Sequence, residues 1–224
     1  MFALGAGIVL VRQINILFLL LIIGFSENAL QLIISRNWKQ YLIGLLIAIG
    51  VILPQIIYNL YLTGAPFSYS YQNEGFLYLT NPKIKEVLLG FNNGWITNNP
   101  LFLLLLPSII LLFKTQKNWS IIGTLSILLC TYLYASWWCW NLGCAYGHRG
   151  FVDIYPILAL PICAAIDEIF KFQNKPIRLF LFTLITAGIL VNIKFIYTYD
   201  SCWPINFQQS DFEIYWHFLT SPTK

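Results

Sequence analysis

Residues 119–170 read WSIIGTLSILLCTYLYASWWCWNLGCAYGHRGFVDIYPILALPICAAIDEIF, and their pattern settles the fold class. Two apolar runs, at roughly 119–138 and 151–170, bracket a turn rich in aromatic and polar side chains. Each run has about the 20 residues that a straight helix needs to cross the hydrocarbon core of a bilayer. In lipid a spanning segment must satisfy its own backbone, so such a run is a helix. The pair reads as a transmembrane hairpin whose turn holds Trp137, Trp138, Trp140, Tyr146, His148 and Arg149.

Composition extends this reading to the whole chain. Of 224 residues, 58% are hydrophobic and only 10% are charged, and the mean hydropathy is +0.69. Soluble domains carry about 25% charged residues, so lipid rather than water faces most of this surface. The predicted class is all-α, a polytopic transmembrane helix bundle forming a single membrane domain over 1–224. The net charge of +4 is scattered, with no basic run, which argues against nucleic acid as a partner.

Other apolar segments fall at roughly 2–25, 40–62, 99–113 and 178–198, giving about five to six membrane helices. Segment 99–113 is short, and 2–25 is interrupted by Arg12, Gln13 and Asn15. The N-terminus lacks the leading positive charge of a cleavable signal. Because it opens in the middle of an apolar stretch, the chain is expected to be the C-terminal part of a larger protein.

The cations give an orientation. Arg36, Lys39, Lys114, Lys117, Lys171, Lys175 and Arg178 share one side if the segments alternate, whereas Lys83, Lys85, Arg149 and Lys224 lie on the other. The positive-inside rule makes the first side cytoplasmic. Residues 26–39 then read as a cytoplasmic surface helix, with Trp38 at the headgroup level. Loops 63–98 and 138–150 and the tail 199–224 are extracytoplasmic. Within 63–98, Asn93-Gly94 is a turn signal, and 82–89 is predicted as a short interfacial helix with Pro82 in its first turn.

Arg149 carries the sharpest chemical signal. Beside a helix start, its planar five-donor fork suits a phosphate, and Asp153 is placed to pair with it. The competing reading is an arginine that snorkels to lipid headgroups. His148 is a further phosphate donor or base, or simply a solvated loop histidine. Arg12, ionisable within an apolar stretch, is expected to face a cavity or a partner and is a further phosphate-binding candidate, unless its segment frays to the surface. Tyr69, Tyr71, Glu74, Asn93, Trp95, Trp140 and Tyr146 are candidates for a cavity wall. For the tryptophans and tyrosines the alternative is an interfacial aromatic belt. Glu74 is a candidate base or, more simply, a solvated acid. The C-x4-C-x3-H spacing of Cys139, Cys144 and His148 is loose and lacks a fourth ligand, so no metal or other cofactor is assigned. A disulfide among Cys139, Cys144 and Cys202 stays open.

Read together, four stretches resemble a known family: P-Q-x-x-Y-N-x-Y-x-x-G (54–64), Y-S-Y-Q-N-E-G-F (69–76), F-N-N-G-W-x-x-x-N-P-L (91–101) and W-W-C-W-N-L-G-C-A-Y-G-H-R-G-F-V-D-x-Y-P-x-L-A-L-P (137–161). They are similar to the C-terminal half of multi-spanning, C-type glycosyltransferases related to protein mannosyltransferases, in a branch common in bacterial genomes. The tail D-F-E-I-Y-W-H-F (211–218) also fits. The resemblance implies an enzyme of the bacterial inner membrane. Such an enzyme moves a sugar from a polyprenyl-phosphate donor to an acceptor on the extracytoplasmic face. In this family the catalytic acids sit in an N-terminal extracytoplasmic loop. No residue here matches that motif, so the chain alone is expected to be inactive, and a divalent metal remains open for the complete enzyme. The partners implied are membrane lipid, the lipid-linked sugar and a missing N-terminal half. The alternative class is a lipid-binding transporter or flippase-like protein, or a non-catalytic membrane scaffold. Transporters often carry inverted repeats, and none is evident in this sequence.

Overall fold

The computed structural model describes residues 2–12, 15, 38–66, 74–143, 146–171, 173–199 and 212–220. Among them there is no strand, and the chain divides into two units, residues 1–74 and 75–224. Among the described residues four helices are long and apolar enough to cross a membrane, as in an integral membrane protein: Trp38–Thr63, Lys117–Ser136, Arg149–Lys171 and Lys175–Thr198.

The described residues of the first unit include a packed helix pair. Helix α1 (Phe2–Val11) packs on α2 (Trp38–Thr63). The contact exists because Gly44 leaves room for the Phe2 ring, which also meets Tyr41 edge-on at 6.1 Å. Lys39 and Trp38 open α2, in continuity with the spanning segment. The rest of the expected surface helix, together with Tyr69 and Tyr71, lies outside the described residues. At its far end α2 stops at Gly64, whose φ of +72° is a conformation that a side chain would strain. The Gly64 N–H donates to the Leu60 carbonyl, and Asn59 Nδ2 donates to the Pro66 carbonyl across the cap.

The second unit starts with α3 (Ile84–Leu89), which begins two residues after Pro82, and the single turn α4 (Trp95–Asn98). The apolar segment expected at 99–113 is a 3₁₀ stretch, Pro100–Leu104, running into α5 (Leu105–Thr115). Pro100 cannot donate a backbone hydrogen bond, so the tighter winding starts there. Next come α6 (Lys117–Ser136), a 3₁₀ stretch Arg149–Ile154, α7 (Tyr155–Lys171), α8 (Lys175–Thr198) and α9 (Phe212–Thr220).

Helices α5, α6 and α7 form the core of this unit. The inner face of α6 is mostly small and hydroxylated, with Ser120, Gly123, Ser126, Thr131, Ala135 and Ser136 beside the larger Ile122 and the thiol of Cys130. Small residues let helix backbones approach closely in a membrane, where lipid competes equally well for large apolar groups. Ser120 Oγ fastens α6 to α5 by donating to the Ile109 carbonyl at 2.7 Å. The outward sides of α2 and α8 expose Leu, Ile and Phe along their lengths, as a lipid-facing surface should.

Chain reversals are very unequal at the two ends of this unit. Gln116 alone separates α5 from α6, and residues 172–174 separate α7 from α8. The second reversal restarts as a helix because Asn174 caps it, accepting from the Ile177 N–H, with Pro176 in the first turn. Lys114, Lys117, Lys171, Lys175 and Arg178 all border these two turns. The segments 75–99 and 137–148 and the helix α9 collect at the opposite end, where they interlock.

Candidate functional site

The interlocking begins with one aromatic column. Trp95 lies between Phe102 (ring centroids 4.5 Å apart) and Phe151 (4.1 Å, interplanar 8°). Phe151 meets the His148 ring edge-on at 5.0 Å, and His148 meets Tyr134 at 5.2 Å. The column thus joins the F-N-N-G-W stretch to the G-H-R-G-F stretch. Both glycines of the second stretch are required. Gly147 adopts φ +67°, and the Tyr134 ring occupies the space where a Gly150 side chain would stand.

Beside the column a clamp holds the turn after Trp140. Asn93 is fully buried and donates through Nδ2 to the carbonyls of Asn141 (3.0 Å) and Gly143 (2.8 Å). His148 Nε2 lies 2.8 Å from the Trp140 carbonyl. The turn needs this support because Leu142 and Gly143 both sit at positive φ, +54° and +71°. Asn93 itself has φ +62°, a region that Asn tolerates better than most residues. Gly94 follows because a side chain there would collide with the Gly90 carbonyl. The same turn carries Cys139 as a thiol whose Sγ donates to Asn141 Oδ1 at 3.2 Å. Cys144 and Cys202 lie outside the described residues.

A third group ties the loops to the membrane helices. The Tyr146 hydroxyl lies 2.8 Å from the Asn98 carbonyl and 2.9 Å from Asn192 Oδ1. Its one proton is shared between two acceptors. Asn192, on α8, donates in turn to Asn99 Oδ1 and the Gly188 carbonyl. Helix α9 closes this side, with the Tyr215 ring tilted against those of Phe91 (5.3 Å) and Phe195 (5.2 Å) and its hydroxyl donating to the Thr97 carbonyl at 2.8 Å. Burial raises the pKa of the Tyr146 and Tyr215 phenols above their ordinary value, so both are neutral hydrogen-bonding groups.

The electrostatics separate His148 from Arg149. Burial is the main cause that pushes His148 down from 6.5 to about 4, and the neighbouring Arg149 charge pushes the same way. The carbonyls around the ring oppose this shift without reversing it. At neutral pH the ring is therefore uncharged, and its Nε2–H is committed to Trp140. Arg149, by contrast, is exposed and opens the 3₁₀ stretch. An Arg149–Asp153 ion pair is absent among the described residues. In a 3₁₀ helix residues three apart eclipse, so a residue four along points about a third of a turn away.

Of the residues singled out from sequence, this end gathers Asn93, Trp95, Trp140, Tyr146, His148, Arg149 and Asp153 in one unit. Trp140 is half-buried through the turn it opens, and Asp153 is half-buried in the 3₁₀ stretch. Arg12 and Glu74 belong to the other unit. Among the described residues no three His, Cys, Asp or Glu side chains come together in a way that would hold a metal ion. Asn98 and Asn192 were not singled out in the sequence, and Asn99, Asn141 and Tyr215 stood in the quoted stretches without an assigned role. Asn192 is a lone amide inside an apolar helix. No protein-family model, curated protein or solved structure matches the chain.

Proposed function

We propose that this chain is part of an integral-membrane glycosyltransferase of the bacterial inner membrane, handling a polyprenyl-phosphate-linked sugar at the extracytoplasmic face. In this reading the loop end faces away from the cytoplasm. The five cations around the two tight turns support that orientation, and the short helix Pro100–Thr115 counts as a fifth crossing. The observation that carries the proposal is the exposed Arg149 fork beside a rigid aromatic and amide wall. A lipid-linked phosphate must be reached from the bilayer by a cation on a surface that also offers apolar and stacking contacts, and residues 137–153 combine these. No catalytic acid is assigned to the chain.

The test is photo-crosslinking with a diazirine-bearing polyprenyl-phosphate sugar on membranes containing the chain. Labelling is expected on peptides from 137–153, competed by unlabelled donor. Arg149→Ala should weaken capture at least tenfold, equivalent to about 1.4 kcal/mol. Label spread evenly over the apolar helices, or capture indifferent to Arg149→Ala, would remove this reading.

A further inference from the structure

Residues 75–83, G-F-L-Y-L-T-N-P-K, cap a membrane helix from outside it. The last carbonyls of a helix have no partner within that helix, and those of α6 find theirs here. The Lys83 N–H donates to the Ala135 carbonyl at 2.9 Å, and the Tyr78 N–H donates to that of Ser136 at 3.0 Å. Just past the helix, the Trp138 N–H donates to the Gly75 carbonyl at 2.9 Å, and the Phe76 ring meets Trp137 edge-on at 5.0 Å. Tyr132, one turn before the end of α6, donates from its hydroxyl to the Leu79 carbonyl at 3.1 Å. Residues 135–138 span no more than about 11 Å of chain. Three backbone bonds to so short a span hold 75–83 together as one ledge on the last turn of the helix.

This ledge turns its apolar side chains outward. Leu77 is 69% exposed, Leu79 49% and Phe76 45%, with Trp138 exposed beside them. Water is a poor neighbour for such a cluster. Lipid is a good one, because the Tyr132 bond sets Leu79 alongside the final turn of a spanning helix. Charge follows at once: residues 75–90 carry two cations, Lys83 and Lys85, against one carboxylate, Glu86. Lys83 is the oriented cation. Its backbone is pinned to Ala135, and its ammonium stands 5.4 Å from the centroid of the Tyr78 ring. Lys85 is exposed.

We propose that residues 75–85 are a docking site for an anionic phospholipid of the surrounding leaflet. Its acyl chains lie on Phe76, Leu77 and Leu79, and its headgroup phosphate meets Lys83 and Lys85. The excess of positive charge favours an anionic lipid over a zwitterionic one, whose own ammonium it repels. Lipid capture here does not depend on the glycosyltransferase reading, since it uses neither Arg149 nor the aromatic column.

The test replaces Leu77 by photoreactive benzoylphenylalanine in the full chain. The protein is placed in nanodiscs holding equal amounts of phosphatidylglycerol and phosphatidylcholine, and the adducts are weighed. Phosphatidylglycerol adducts should predominate about threefold or more, given two cations close to an anionic headgroup. Lys83→Gln/Lys85→Gln should bring the two lipids level, and Lys83→Arg/Lys85→Arg should restore the preference. The same probe at Leu128, exposed midway along α6, should capture both lipids equally in the parent and in each variant, which shows that they remain folded and inserted. High salt should also level the ratio at Leu77 in the parent, a readout that needs no lysine variant. Equal adducts at Leu77 in the parent overturn the site, as does a preference that survives both the glutamines and high salt. A probe at Leu77 that captures no lipid, because water or another protein covers the ledge, overturns it too. Arg149→Ala should keep the preference, so a failure of donor capture at Arg149 leaves this site standing.

Discussion

The two ends of the 75–224 unit face the same chain-reversal problem and solve it differently. At the turn end, the chain reverses at Gln116 and again before α8 with short-range contacts: an Asn174 cap, Arg178 reaching the Phe170 carbonyl, and Ser120 reaching that of Ile109. At the loop end, the chain spends residues 75–99, 137–148 and 212–220 on the same task. There it adds stacked rings, an amide clamp, positive-φ residues and an inter-helix tyrosine. Joining helices needs only the first solution. The second fixes a shape, and fixed shape is what a binding wall requires.

If that contrast is real, the greatest loss should come from the column. Trp95→Ala removes a ring stacked on both sides and 3% exposed. Large-to-small changes at buried aromatic sites cost about 3–5 kcal/mol. Thermal unfolding in detergent, followed by tryptophan fluorescence or by cysteine accessibility at Cys139, should show the loop end loosening first. A Trp95→Ala variant that unfolds like the parent would make the two ends equivalent.

A second measurement sharpens the comparison through pH. His148 is held neutral in the folded state, with its pKa lowered from 6.5 to about 4. Between these values the unfolded chain binds a proton that the folded chain refuses, so stability rises with pH across that window. The contribution is fully present above about 6.5 and fades as pH falls toward 4, roughly 3 kcal/mol in all by linkage. Unfolding midpoints of parent and His148→Gln should converge as the pH is lowered from 7 to 4. Parallel curves would mean that the ring titrates as it would in water.

How much of this was legible in the sequence follows from range. The helices were readable because lipid demands long uninterrupted apolar runs, and 38–63, 117–136 and 175–198 satisfy that locally. Asn93-Gly94 was readable as a turn because Asn tolerates positive φ, which Asn93 adopts, whereas Gly94 is needed there for space against the Gly90 carbonyl. The short segment after Pro100 already looked marginal, although its 3₁₀ winding left no local mark. The Trp95–Phe151 stack could not be read, since nothing local announces that residues so far apart will meet. Periodicity alone does not place Arg149 and Asp153 either. Their spacing suits an α-helix, and the chain is 3₁₀ there. Tyr146 was a candidate and Asn99 stood in a quoted stretch, but their link to Asn192 was not readable, because a hydrogen bond between distant segments has no sequence pattern.

The smallest effect belongs to the turn end. Lys171 lies 2.5 Å from Asp167 and 3.0 Å from Glu168, in a solvent-accessible arrangement at the end of α7. Short distances alone would suggest an anchor comparable to the clamp at the other end. Solvent and salt screen such pairs, and ordering a long side chain costs entropy, so exposed ion pairs are worth little. Lys171→Ala should therefore leave the unfolding midpoint unchanged within error, at low and at high salt. The five cations bordering these turns then matter for how the chain is oriented in the membrane rather than for how tightly it is folded. A clear, salt-sensitive drop in the Lys171→Ala midpoint would show that the turn end also relies on specific side-chain contacts, and the asymmetry between the two ends would be lost.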